Sequence, residues 1–248
     1  MDHDFLPVLG MLILERLSYF DIENCAEISK AGLISMIIEF TSNRTVFQNI
    51  NEEHHKLLKG SSLKVLTRLS SIEGMFGVQL RHKILENPFL LPNLAEILDE
   101  NESCNQQLRE LAAEILRNLA MDESRREAIG HFHAVTSRLV HAFLSQDAAP
   151  SVTDSDKSLQ HIAGQTLAVL TMEGPGNCLA ISAEAGYALI KELTTMIHVD
   201  RHKYTAASLL QNICVHTQSM LSKADLNELS HILPQVPTLQ LHIYHYEN

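Results

Sequence analysis

The sequence predicts an all-α fold, a solenoid of about four to five stacked three-helix repeats that is partial at both ends. Three observations predict it. A short phrase recurs: Ile13-Leu14-Glu15-Arg16-Leu17-Ser18, Val65-Leu66-Thr67-Arg68-Leu69-Ser70, Ile115-Leu116-Arg117-Asn118-Leu119-Ala120, Leu167-Ala168-Val169-Leu170-Thr171 and Leu209-Leu210-Gln211-Asn212-Ile213-Cys214. Its last apolar anchors (Leu17, Leu69, Leu119, Leu170, Ile213) are 52, 50, 51 and 43 residues apart, and self-similarity at that period marks helical units that each leave an apolar face for a neighbour to cover. Second, Asn24-Cys25 follows Leu17 at the distance at which Asn177-Cys178 follows Leu170, and each pair is followed by a glycine, Gly32 or Gly186. Third, Leu, Ile, Ala and Glu dominate, while ten Gly, seven Pro and an aromatic content of 5% are too low for a loop-rich β protein.

The elements follow in order. The chain opens on a lone third-type helix at 5–20. First helices are expected over 24–31, 75–85, 124–131 and 178–185, and second helices over 33–41, 88–98, 133–144 and 187–198. Asn87-Pro88 is expected to start one of these second helices, since Pro is tolerated at the first helical position. The third helices, 54–70, 104–120, 157–172 and 202–215, are the longest. Leu108, Leu111, Ala112, Ile115, Leu116 and Leu119 recur there at spacings of three and four, an amphipathic stripe. Polar loops are expected at 41–52 and, as an insertion, at 146–156. The chain closes on a helix near 225–233 and a tail with Pro234 and Pro237. Unit boundaries are therefore 1–20 (partial), 21–71, 72–121, 122–172, 173–215 and a C-terminal cap at 216–248, within a single domain over 1–248. The apolar start, Leu6 to Leu14, suits a helix that something else covers, because terminal repeats normally present a polar outer face.

Composition excludes several functions. A formal net charge of -11 argues against a nucleic-acid partner, which needs clustered Lys and Arg. Cys25, Cys104, Cys178 and Cys214 form no CxxC pair and read as small core residues in a reducing, cytoplasmic or nuclear, compartment. The N-terminal apolar run is broken by Pro7 and Gly10 and ends at Glu15-Arg16, so it predicts neither a signal peptide nor a membrane span. Fourteen histidines include the pairs His54/His55, His131/His133, His198/His202 and His242/His245. These fall in different repeats, without the convergent spacing a metal site requires. No phosphate loop, nucleophile elbow or zincin motif occurs. Gly174-Pro175-Gly176 reads as turn punctuation, and Ser70-Ser71-Ile72-Glu73 and Ser222-Lys223-Ala224-Asp225 as helix caps. No catalytic residue, cofactor or metal site is expected.

Gly32-Leu33-Ile34 leading to Ile37-Ile38-Glu39-Phe40 in a second helix, and Leu116-Arg117-Asn118-Leu119-Ala120 in a third, resemble armadillo repeats over nearly the whole chain. Residues 84–98 and 170–178 more narrowly resemble a plant group of armadillo-repeat proteins without assigned chemistry. The resemblance implies a right-handed superhelix and a non-enzymatic scaffold that binds a protein or peptide in a concave groove lined by third helices. In nuclear-import receptors of this family a Trp four residues before an Asn clamps Lys side chains. The corresponding pairs here are Leu12/Arg16, Lys64/Arg68, Glu114/Asn118, Gln165/Val169 and Ser208/Asn212, with no Trp in the chain, so the cation–π clamp for a basic peptide is missing. Arg16, Lys64, Arg68, Glu114, Asn118, Gln165, Ser208 and Asn212 are the expected groove residues. The basic start of that ladder suits a partner with acidic residues facing the N-terminal half. The alternative reading is a short-form regulator that self-associates, as a homo-oligomer, or pairs with a longer armadillo relative through its N-terminal helix.

Overall fold

Local chemistry sets where each helix starts and stops. A computed structural model describes residues 5–42, 51–99, 106–144, 154–172, 174–186, 189–199, 201–217 and 221–232. Among them the regular elements are α1 (Leu6–Phe20), α2 (Ile22–Lys30), α3 (Ile34–Glu39), α4 (Glu52–Ser70), α5 (Gly74–Leu85), α6 (Leu90–Leu98), α7 (Gln106–Ala120), α8 (Glu123–Gly130), α9 (His133–Leu144), α10 (Asp154–Thr171), α11 (Pro175–Ala185), α12 (Leu189–Ile197), α13 (Lys203–Thr217) and α14 (Lys223–Ile232). Asp21 caps α2 through the Glu23 amide and Asn51 caps α4 through the His54 amide, each satisfying a donor that the first turn leaves open. Ser222 and Asp225 form a reciprocal capping box on α14: the Asp225 carboxylate accepts from the Ser222 amide at 2.8 Å and the Ser222 hydroxyl accepts from the Asp225 amide at 3.2 Å. Between α2 and α3, Gly32 takes a φ of 73°. The Leu33 amide there returns to the Ile28 carbonyl and the Gly32 amide to that of Ser29, the Schellman turn that glycine makes without steric cost.

Three local expectations are corrected. Pro88 does not begin a helix. The Asn87 side chain accepts from the Phe89 amide at 3.0 Å, an Asx turn that delays the start of α6 to Leu90. Ser70 and Ser71 do not cap α5 but end α4, where their hydroxyls donate back to the Thr67 and Arg68 carbonyls. The helix of the fourth unit also starts at Asp154, inside the expected loop. The rest of that loop, residues 43–50 of the earlier one, Cys104, His242/His245 and the Pro234–Pro237 tail lie outside the described residues.

The chain divides into two compact units, Met1–Arg125 and Arg126–Asn248. In the first, the third-type helices α1, α4 and α7 lie side by side, with α3 and α5 against α4 and α6 against α7. Their core holds Met11, Ile34, Ile37, Ile38, Leu63, Leu66, Leu69, Leu80, Ile84, Leu90 and Leu94, all essentially out of solvent. In the second, α10 packs on α9 and α13, α11 on α9 and α13, and α12 on α13 and α14. There Phe143 fills the space over Gly164, where a Cβ would stand 2.4 Å from the ring.

The repeated Asn-Cys dipeptide has a mechanical explanation. The Asn24 amide donates to the Leu17 carbonyl at 3.0 Å and the Cys25 thiol to that of Ser18 at 3.2 Å. In the second unit Asn177 donates to Leu170 at 2.8 Å and Cys178 to Thr171 at 3.5 Å. Both dipeptides therefore satisfy the carbonyls left open at the end of a third helix. At the end of α4 no such dipeptide follows, and Arg81 of α5 takes the role, donating to Ser70 at 3.3 Å and Ile72 at 2.8 Å.

Cys25, Cys178 and Cys214 are free and buried. Burial raises the Cys25 thiol above its ordinary value, pushes Cys178 up to about 11, and with the nearby Asp225 pushes Cys214 up to about 12. Because only the thiolate alkylates, iodoacetamide at about pH 8 is expected to leave these three untouched in the native chain and to label all of them after denaturation, as read by mass spectrometry.

Candidate functional site

The third-helix surface of the first unit gathers five of the eight expected groove residues. Arg16 projects into solvent from α1. Lys64, half-buried on α4, reaches back to α1 and pairs with Glu15, Nζ to Oε1 at 3.1 Å. One turn further along α4, Arg68 donates through Nε to the Ser18 carbonyl at 3.2 Å. On α7, Glu114 accepts from Arg117 at 3.2 Å, a short-range helical pair, and Asn118 donates from Nδ2 to the Ser70 hydroxyl at 3.2 Å.

The charge on this surface differs from the sequence reading in one respect. Lys64 is neutralised by Glu15, so the outward positive charge comes from Arg16 and Arg68. No described carboxylate lies within ion-pair distance of either arginine.

Sequence reasoning missed Tyr19. Its ring is exposed, and its hydroxyl donates to the Lys64 carbonyl at 3.4 Å. Partial burial raises its pKa, with Glu15 and Glu114 adding to the rise and Arg68 opposing it. Tyr19 thus stands among the ladder charges of α1, α4 and α7. The available signal was an aromatic three residues after Arg16 on the same helix, away from the ladder position at which a Trp is expected.

In the second unit the expected residues fall on α10 and α13. Gln165 is half-buried, Ser208 is exposed, and Asn212 donates from Nδ2 to the Thr171 hydroxyl at 3.0 Å. Tyr204, four residues before Ser208 on α13, is almost fully exposed and continues the Ser208–Asn212 row at the spacing that aligns side chains on one helix face. The two ladder asparagines share one construction. Each donates to a hydroxyl on the final residue of the preceding third helix, and that hydroxyl donates to the carbonyl three residues earlier, Thr67 or Ala168. One Nδ2 hydrogen and the Oδ1 of each amide remain for a ligand.

The described histidine pairs stand apart from one another in the fold. The His54 ring lies 4.9 Å from that of Phe5, His55 is held below its ordinary pKa by burial and by Lys59, and His133 pairs with Glu184. His202 is buried, with its ring edge-on to Phe143 at 6.0 Å, while His198 sits in the turn after α12. Among the described residues no three His, Cys, Asp or Glu side chains converge on a point that could hold a metal ion, and no helix is long and apolar enough to cross a membrane.

Solved structures share this fold. A designed armadillo repeat protein, YIII(Dq)4CqI, matches with a TM-score of 0.61 at 15% identity, over 90% of this chain and 80% of its own. A second designed armadillo repeat protein, in complex with the peptide (KR)4, matches with a TM-score of 0.62 at 18% identity, over 94% of this chain and 84% of its own. A computationally designed armadillo repeat protein for modular peptide recognition gives 0.64 at 15% identity, over 90% of this chain and 84% of its own. The fold is therefore an all-α solenoid of armadillo type. No protein-family model and no curated relative matches the chain, and nothing in these comparisons supports the narrower likeness to a plant group.

Proposed function

We propose that this armadillo-type chain is a non-enzymatic scaffold that binds a protein or extended peptide along its third-helix surfaces, with acidic partner residues meeting Arg16 and Arg68. The observation that supports it most is the grouping in the first unit: an exposed Tyr19 ring, two arginines without a described carboxylate partner, and the Asn118 amide with one donor and one acceptor in reserve. An aromatic face, a directional amide and a localised charge are what an extended peptide needs from a surface it lies along. The fold itself is compatible with that use, since designed armadillo proteins of the same fold include one bound to (KR)4 and one made for modular peptide recognition. The charge of the partner differs here: arginines at the N-terminal rungs favour carboxylates.

The test is selection of peptides from a random library against the purified chain. Selected sequences are expected to carry Asp or Glu toward one end. Arg68→Glu and Arg16→Glu are each expected to weaken the best peptide by about tenfold, equivalent to about 1.4 kcal/mol, with the helical circular-dichroism signal retained. Arg16 makes no hydrogen bond or ion pair with other described residues, so its variant separates lost binding from lost folding. Affinity unchanged in both variants sinks the groove reading.

A further inference from the structure

We propose that the outer side of α1 is a docking face for a second copy of this chain. At 3.6 residues per turn, Leu6, Leu9, Ile13, Leu17 and Phe20 fall within an arc of about 80°, and they are 60%, 40%, 58%, 41% and 86% exposed. Val8, Met11 and Ser18 on the opposite side of the same helix are buried against the rest of the unit. No charged residue interrupts the stripe, and Arg16 lies at its margin. Scattered exposed apolar residues are ordinary; a continuous stripe along one helix is the mark of an interaction surface.

The repeat shows what kind of element covers this face. In α4 the matching register positions are Leu58, Ser61, Val65 and Leu69, at most 4% exposed. In α7 they include Leu108, Ile115 and Leu119, at most 6% exposed. Leu111, the remaining matching position in α7, is half-buried, so the register that α4 and α7 largely bury is open in α1, whose described contacts are with α2 and α4. The contact of α1 with α4 is itself third helix upon third helix, so a third helix laid on the stripe repeats a kind of packing the chain already uses.

A second α1 supplies that element. Crossed antiparallel about Ile13, two copies place Leu9 opposite Leu17 and Leu6 opposite Phe20, apolar against apolar throughout. Gly10 has open space around its Cβ position and holds no side chain between the backbones. The five side chains expose roughly 500 Å² per copy, at the upper range for a monomer's open patch and below the about 800 Å² per partner of a standard interface. That predicts a moderate, concentration-dependent dimer. With -11 charges on each chain, added salt screens repulsion and strengthens this apolar contact, whereas a charge-driven contact weakens.

Light scattering or sedimentation equilibrium on the full chain, from about 5 to about 200 µM, is the experiment, since mass action exposes the equilibrium. The expected mass rises towards twice 27.8 kDa with concentration and with salt. Ile13→Glu is expected to return the monomer mass at every concentration with unchanged helicity, because the side chain is exposed. Met75→Glu, at another exposed apolar site, is expected to leave the dimer intact. A wild-type chain that stays monomeric at the highest concentration overturns the proposal. So does a dimer that survives Ile13→Glu, or one that Met75→Glu dissociates equally.

Discussion

Replacement of Asn177 by Asp is expected to destabilise the second unit by about 4 kcal/mol, lowering its thermal midpoint by about 10–15 °C in a circular-dichroism melt. Asn177 is 1% exposed and its Nδ2 donates twice, to the Leu170 carbonyl at 2.8 Å and the Arg126 carbonyl at 3.0 Å. One amide thus ties the end of α10 to α8. A carboxylate has no hydrogen to give, leaves both carbonyls without this donor and sets a buried negative charge against them. The repeat provides its own control: Asn24 stands in the matching place but is only half-buried and makes a single, solvent-exposed bond to the Leu17 carbonyl, so Asn24→Asp is expected to cost under about 1 kcal/mol. The pH dependence has a definite sign. Burial against two carbonyls favours the neutral acid, so the folded variant binds its proton more tightly than the unfolded one. The deficit relative to the parent chain is therefore smallest at about pH 5 and grows as pH rises to about 7.5. A deficit independent of pH would mean that packing, not charge, dominates.

Gly77→Ala is expected to cost the first unit about 3 kcal/mol or more, seen as a lowered midpoint in urea. A Cβ at this position would stand 1.7 Å from the Ile72 carbonyl oxygen and 2.5 Å from its carbon, backbone atoms that cannot swing aside as a side chain does. That carbonyl is also the acceptor for Arg81 at 2.8 Å, so moving it disturbs the contact that closes the end of α4. The comparison is Gly10→Ala: Gly10 lies within α1 with nothing near its Cβ position, and the same change there is expected to stabilise by about 0.5–1 kcal/mol through helix propensity.

The helices were legible because repetition amplifies a weak signal. A single amphipathic stripe leaves a boundary loose, but five anchors and two Asn-Cys pairs at matching distances fix the order first, second, third. The errors fell where a polar side chain outbid the general preference. Asn87 folds onto the Phe89 amide and excludes Pro88 from the helix, and Ser70 and Ser71 bond backwards instead of forwards. The candidate site was legible in its positions and less so in its charges. Spacing located Lys64 and Arg68, but Glu15, which neutralises Lys64, lies 49 residues away, and only the stacking of α1 on α4 brings them together. Tyr19 escaped for a similar reason: its neighbours Glu114 and Arg68 belong to later repeats, and the ring matters through that company.

Asn118 and Asn212 each sit on a seam, holding a hydroxyl from the repeat before while keeping part of the amide free. A ligand that takes the free part stiffens a joint as well as filling a surface. In a stack whose cohesion is set between nearest neighbours, tightening one joint changes how readily the units on either side open. Occupancy would then be felt within each unit as slower opening of the two third helices that the filled seam joins.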